Sequence, residues 1–236
     1  MKTIPPLPSK TNCINRLLKS IHITSVVDVG VRESTAELIQ TFPNTKHYLF
    51  EPVKKFFSDI RKNYGSIDYE LFDFALSDID SRIYLLETSL LKNGVVTHSA
   101  IRTEPQPVDG AFVVSCEPID VHRFDSLDVA KKIESNFLLK VDVDGQDLNV
   151  LKGFGNKITS AAVVIVECTY TSAMERISYV QSKGFSLVDL VDFVYYGDSL
   201  YQLDAVLVRS DLVTNNLRPP IGEFRKELWS PVYLGK

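Results

Sequence analysis

An α/β fold, doubly wound about a mostly parallel sheet, is predicted by three observations. Short buried-type strands alternate with segments of helical period along most of the chain. Three of those strands run straight into acidic residues: Val26-Val27-Asp28-Val29-Gly30, Tyr48-Leu49-Phe50-Glu51-Pro52 and Leu138-Leu139-Lys140-Val141-Asp142-Val143-Asp144-Gly145. The chain then closes on two consecutive strands, 185–190 and 203–209, joined through Tyr195, Tyr196 and Gly197, which add an antiparallel hairpin. With 236 residues, 44% of them hydrophobic, one domain over 1–236 suits the length.

The elements follow from period and breakers. Residues 1–9 are Pro-rich and read as an arm, and Ile14, Leu17, Leu18 and Ile21 predict a helix over 10–21. After the strand at 25–29, Ser34 and Glu37 have capping-box spacing and predict a helix over 34–42. A strand at 46–50 and a helix at 53–63 come next. A strand over 67–76 ends in Phe72-Asp73-Phe74-Ala75-Leu76. Residues 82–87 and 112–116 read as an extra strand pair. The polar stretch 88–110 between them reads as an inserted loop. A helix at 126–134, a strand at 137–143, a helix at 147–153, a strand at 161–167 and a helix at 172–183, closed by Gly184, lead into the hairpin. Residues 211–236 form a tail, expected to close over the site, mediate a homodimer or cover a sheet edge.

Composition removes several classes of function. A formal charge of −4 gives no global attraction to nucleic acid or to anionic membrane. No apolar run approaches the ~20 residues of a spanning helix, and Met1-Lys2-Thr3-Ile4-Pro5-Pro6 has no apolar leader core. The 3 cysteines, Cys13, Cys116 and Cys168, lack metal-site spacing and read as reduced thiols of a cytoplasmic protein.

In an open α/β sheet, ligands bind at the carboxyl ends of the strands, where these acidic residues fall. A dinucleotide fingerprint needs three glycines, whereas Gly30 is followed by Val31-Arg32-Glu33-Ser34, which disfavours a pyrophosphate and hence NAD. The free N–H groups at the next helix start could hold a small carboxylate. Glu51 stands ~20 residues after the turn, where an acid accepts hydrogen bonds from ribose hydroxyls.

Taken in order, the blocks Val-Val-Asp-Val-Gly (26–30), Leu-Phe-Glu-Pro (49–52), Phe-Ala-Leu-Ser-Asp (74–78), Leu-Leu-Lys-Val-Asp-Val-Asp-Gly-Gln-Asp-Leu-Asn-Val-Leu-Lys-Gly (138–153) and Val-Ile-Val-Glu (164–167) resemble the FkbM family of S-adenosylmethionine-dependent methyltransferases. The resemblance covers roughly residues 24–209 and rests on the order and spacing of the blocks. It implies the class I Rossmann-like fold, with a seven-stranded sheet, and methylation of hydroxyl oxygens on sugars and natural products. It also implies that Asp28 and Gly30 line the methionine part of the cofactor, Glu51 the ribose, and Asp73 with Phe74 the adenine. Asp142 would face the methyl group and the acceptor. The family usually has Asn and Gly where this chain has Arg32 and Ser34. Arg32 either pairs with the methionine carboxylate or points to solvent. Asp144-Gly145 and Asp147 are each one methylene shorter than the family's acids.

A hydroxyl acceptor needs its proton removed by a nearby carboxylate or imidazole. Asp142 is the first candidate base and His98 the second. The alternative role for Asp142 is ligation of Mg²⁺ together with Asp144 and Glu167. Asp144 and Asp147 also suit capping of the helix that starts at Gln146. Tyr195, Tyr196 and Trp229 offer faces for stacking on a sugar, or packing. The acceptor is expected to be a small molecule or glycan. A cofactor-binding protein without turnover is the competing reading, and Arg32 and Ser34 are what suggest it.

Overall fold

The computed structural model describes residues 8–89, 98–102, 112–214 and 217. The first helix, α1 (Lys10–Leu17), is capped by Ser9, whose hydroxyl accepts the Asn12 N–H at 3.3 Å. It stops at Leu17 and does not reach 21, because the Lys19 and Ser20 N–H groups bond only three residues back, to the Arg16 and Leu17 carbonyls. Next come β1 (Ser25–Val29), α2 (Ala36–Thr41), β2 (Lys46–Phe50), α3 (Phe57–Asn63) and β3 (Tyr69–Phe72). The capping box expected at Ser34 does not form. Thr35 precedes α2 without a side-chain cap, and Glu37 is drawn to the Lys10 ammonium at 3.0 Å.

The strand expected over 67–76 is two strands in two sheets. β3 ends at Phe72, and β4 (Ala75–Leu76) joins a second sheet with β5 (Ser81–Ser89), β6 (His98–Arg102) and β7 (Phe112–His122), in the order β4-β7-β5-β6. The expected pairing of 82–87 with 112–116 is present, with Leu86 opposite Cys116. β6 lies inside the stretch expected to be a loop, and its Ile101 pairs with Leu85. Its apolar contacts explain this: Ile101, Leu85, Ala75, Val121 and Val53 form one small core.

The second half runs α4 (Asp128–Lys132), β8 (Phe137–Val141), α5 (Asp147–Gly153), β9 (Ala161–Thr169), α6 (Ala173–Ser182), β10 (Phe185–Tyr196) and β11 (Ser199–Arg209). The main sheet has seven strands in the order β10-β11-β9-β8-β1-β2-β3. β11 lies between β9 and β10, antiparallel to both. The strand order reverses between β1 and β8, and in such sheets that reversal opens the ligand crevice.

Both faces of this sheet are covered. Val27, Val29, Leu139, Val141, Val164 and Val166 pack with α4, α5 and α6. Val26, Leu138, Val163 and Ile165 pack with Ile14 and Leu17 of α1 and Leu38 of α2. Such double burial is why these strands read as continuous apolar runs. Among the described residues no helix is long and apolar enough to cross a membrane.

Asp147 does not cap α5. It is fully buried at the first helical position, accepts the Val143 N–H at 3.1 Å and pairs with Arg176 of α6 at 2.8 Å. Arg176 also donates to the Glu167 carbonyl, so one guanidinium ties α6 to α5 and β9. Arg176→Met would strand a buried carboxylate and is expected to cost about 3–5 kcal/mol. Adding Asp147→Asn should recover much of that. Denaturant melts of the single and double variants measure both, and an unaffected single variant would remove this tie from the structural account.

Candidate functional site

Three strand ends and one loop crossing define a cavity of about 400 Å³, within the ~300–1,000 Å³ of small-ligand sites. Gly30 makes it possible. It has φ of +84°, and a Cβ there would collide with the Asp142 carbonyl oxygen, so the turns after β1 and β8 cross in contact. The Asp142 N–H donates to the Val29 carbonyl at 3.0 Å, and the Gly30 N–H to the Phe50 carbonyl at 3.0 Å.

Glu51 faces the cavity and is 4% exposed. Its Oε2 accepts the Arg32 N–H at 2.7 Å and its Oε1 the Val53 N–H at 2.8 Å. Each carboxyl oxygen keeps a second lone pair for a ligand hydroxyl. Burial pushes the Glu51 carboxyl up to about 7, against the pull of those two N–H groups. Phe74 lines the same side, edge-on to Phe50 at 5.8 Å, whereas Asp73 is exposed and is not among the lining residues. Arg32, at φ of +54°, is exposed at the mouth, its guanidinium 5.8 Å from the Phe56 ring centre. Ser34 also lines the wall.

Asp28 departs from expectation. It is fully buried behind the wall, not among the lining residues, and accepts the Tyr64 hydroxyl at 3.3 Å. Its other oxygen lies 3.4 Å from the Lys140 ammonium. Alternation is the reason. Asp28 is level with Lys140 across the β1–β8 ladder, so both point into the layer beneath the site. The N–H groups expected to hold a carboxylate are also partly spent: Arg32's on Glu51, and Thr35's on the Tyr64 hydroxyl at 3.2 Å.

Asp142 directly follows β8 and lines the cavity with 37% of its side chain exposed. Lys140 holds it from below at 3.2 Å. Burial alone would push the Asp142 carboxyl up. The Lys140 charge and a hydrogen bond with Glu167 outweigh that and hold it below the ordinary aspartate value. Glu167, on β9, accepts from the Gln202 amide and is pushed up to about 9, by burial first and then by the Asp142 charge. Asp142 and Glu167 therefore share one proton at neutral pH, with the charge on Asp142.

Asp144 reaches the rim from the exposed turn before Gly145. Among the described residues no group of three or more His, Cys, Asp or Glu side chains is arranged to hold a metal ion. His98 stands on β6 opposite Thr88, three positions from the cavity-lining Ile101, and its side chain lies outside the described residues. Trp229 lies outside them altogether. Tyr195 and Tyr196 are exposed at the hairpin tip and do not line the cavity.

Sequence reasoning missed Lys10. It is 7% exposed, lines the cavity, and contacts Asp204 at 2.6 Å and Glu37 at 3.0 Å. Its only sequence signal is a charge on the inward stripe of α1, beside Ile14 and Leu17.

These residues fit S-adenosylmethionine by their chemistry: a buried hydroxyl-accepting carboxylate, an aromatic wall, and charged groups of both signs around Gly30. The raised carboxyls carry a pH signature. Glu51 and Glu167 keep protons in the folded state that the unfolded chain has already released, so stability falls as pH rises through the window from about 4.5 to about 9. The opposite contribution of Asp142 is confined below that window, because its pKa is lowered, and that of His47, whose pKa burial lowers, ends at about 6.5. Melting temperature is expected to drop between pH 6.5 and 8.5, and Glu167→Gln should flatten the slope. A slope unchanged in that variant would show that the pair does not share a proton.

The methyltransferase FkbM domain matches residues 23–187. Solved structures similar to this chain include an rRNA methylase from Streptococcus thermophilus, with 10% identity, 88% of this chain and 99% of that chain covered, and a TM-score of 0.49. Precorrin-6y C5,15-methyltransferase from Geobacter metallireducens has 8% identity, coverage of 84% and 85%, and a TM-score of 0.45. A TehB-like SAM-dependent methyltransferase from Corynebacterium glutamicum has 8% identity, coverage of 84% and 86%, and a TM-score of 0.42. No curated protein matches the chain.

Proposed function

The chain belongs to the methyltransferase FkbM domain family, and from that premise we propose that it methylates a hydroxyl oxygen of a sugar, glycan or related small polyol. The observation that carries the oxygen acceptor is Asp142, an anion at the carboxyl end of β8 that faces the cavity and is fixed by Lys140 and Glu167. When bound, S-adenosylmethionine supplies a sulfonium methyl with a good leaving group. The protein's tasks are then alignment of the acceptor and disposal of its proton.

Asp142 performs both. Its carboxylate accepts a hydrogen bond from the acceptor hydroxyl and aims the oxygen lone pair. With its pKa held low, it is too weak a base to ionise a free alcohol. It takes the proton as the new O–C bond forms, when the oxygen becomes strongly acidic. The proton enters a pair with Glu167 that already shares one, and Lys140 keeps the pair from losing its negative charge beforehand. The carboxylates of Glu37, Asp142 and Asp144 in the lining and the net charge of −4 disfavour a polyphosphate acceptor.

Asp142→Asn keeps size and loses the basic oxygen. Turnover is expected to fall about 10²-fold or more, while affinity for S-adenosylhomocysteine changes little. Methyl transfer is followed with methyl-labelled cofactor and a panel of glycans, polyols and RNA. Full activity of the variant removes the base role. Label appearing in RNA and in no polyol rejects the acceptor class. Cofactor binding without transfer to any acceptor favours the non-catalytic reading.

A further inference from the structure

We propose that Lys10 and Glu37 form a zwitterion clamp for the amino-acid end of the cofactor, with the Lys10 ammonium facing its carboxylate and the Glu37 carboxylate facing its ammonium. This rests on the cofactor reading above. Both side chains line the cavity, and they stand 3.0 Å apart. A pair of opposite charges side by side on one wall matches a ligand that carries both charges on one carbon.

Placement supports the assignment. Glu37 opens α2, just after the Gly30 turn and Ser34. Asp204, which holds Lys10, is on β11, and β11 lies on the β8 side of β1. Glu51 is just past β2, on the other side of β1. The charged pair thus marks the end of the cavity away from the groups that suit ribose and adenine.

Donor capacity supports it too. An ammonium has three N–H donors. Asp204 at 2.6 Å and Glu37 at 3.0 Å take two of them, while Asp192 at 3.7 Å is a charge partner beyond hydrogen-bond distance. One donor therefore remains for the cavity. Of the other candidates, the Arg32 and Thr35 N–H groups bond Glu51 and Tyr64, Lys140 is held between Asp28 and Asp142, and the Arg32 guanidinium stands at the exposed mouth, 5.8 Å from the Phe56 ring centre. Lys10, Asp192 and Asp204 all lie outside residues 23–187. Glu37, the other half of the clamp, lies within them.

The test is calorimetric titration with two ligands, S-adenosylhomocysteine and 5′-methylthioadenosine, which lacks the amino-acid end. The proteins are wild type, Lys10→Met, Glu37→Gln and Lys10→Met/Asp204→Asn. The double variant removes the buried charge that Lys10→Met leaves behind. S-adenosylhomocysteine affinity should fall about 10- to 100-fold in each variant, the range for charged hydrogen bonds. Methylthioadenosine affinity should stay at its wild-type value, which also shows that each variant is folded. Unchanged S-adenosylhomocysteine binding, or an equal loss for both ligands, overturns the clamp and leaves Lys10 a structural tie. Failure of wild type to bind either ligand overturns the cofactor reading instead.

Discussion

One buried cation sets the arrangement at the carboxyl end of the sheet. Lys140 is 4% exposed, and an ammonium so buried is tolerable only when paired. Burial would lower its pKa, but Asp28 and Asp142 outweigh that and raise it, so it stays charged. The pairing is a product of strand geometry. Lys140 and Asp142 share one side of β8, and the β1–β8 register brings Asp28 level with Lys140. With Asp142 held as an anion, the adjoining Glu167 cannot also ionise near neutral pH and keeps its proton. The protonation of the two groups that face the cavity is therefore decided one layer below it.

A second buried lysine repeats the logic at the edge of the site. Lys10 sits between Asp204 and Glu37. Burial opposes its charge, but Asp204 above all raises its pKa. Asp204 and Glu167 are themselves opposite each other across the β9–β11 ladder. The two lysines thus belong to one polar seam between the sheet and the α1–α2 layer. The rest of that layer is filled by Ile14, Leu17, Leu38 and Val206.

Much of this was legible in the sequence, and what was not has a physical cause. The parallel strands, the β8–β9 neighbourhood of Asp142 and Glu167, the Gly30 turn and the cavity-facing Glu51 are local consequences of apolar runs ending in acids. The seven-stranded sheet is the class I methyltransferase arrangement that the resemblance implied. Asp28 was misplaced because its residue type fits a ligand-facing role, and only the cross-strand register shows it facing Lys140. The break in 67–76 was hidden because Phe74-Ala75-Leu76 is as apolar as the strand before it, while its hydrogen bonds go to β7. Lys10 was invisible for the strongest reason: its burial depends on Asp192 and Asp204, which no local pattern near residue 10 announces.

The link between the start of the chain and its last hairpin has a consequence for synthesis. Lys10 bonds Asp192 across 182 residues, and Arg16 bonds Asp189 across 173. A chain emerging from the ribosome amino end first can pair β1, β2, β3 and β8 as soon as each appears. It cannot seat Lys10 until β11 has been translated and has slid between β9 and β10. Until then the Lys10 ammonium and its carboxylate partners stay hydrated. The cavity wall at Lys10 therefore needs β10 and β11 in place, whereas the walls at Gly30 and Glu51 need only the parallel strands.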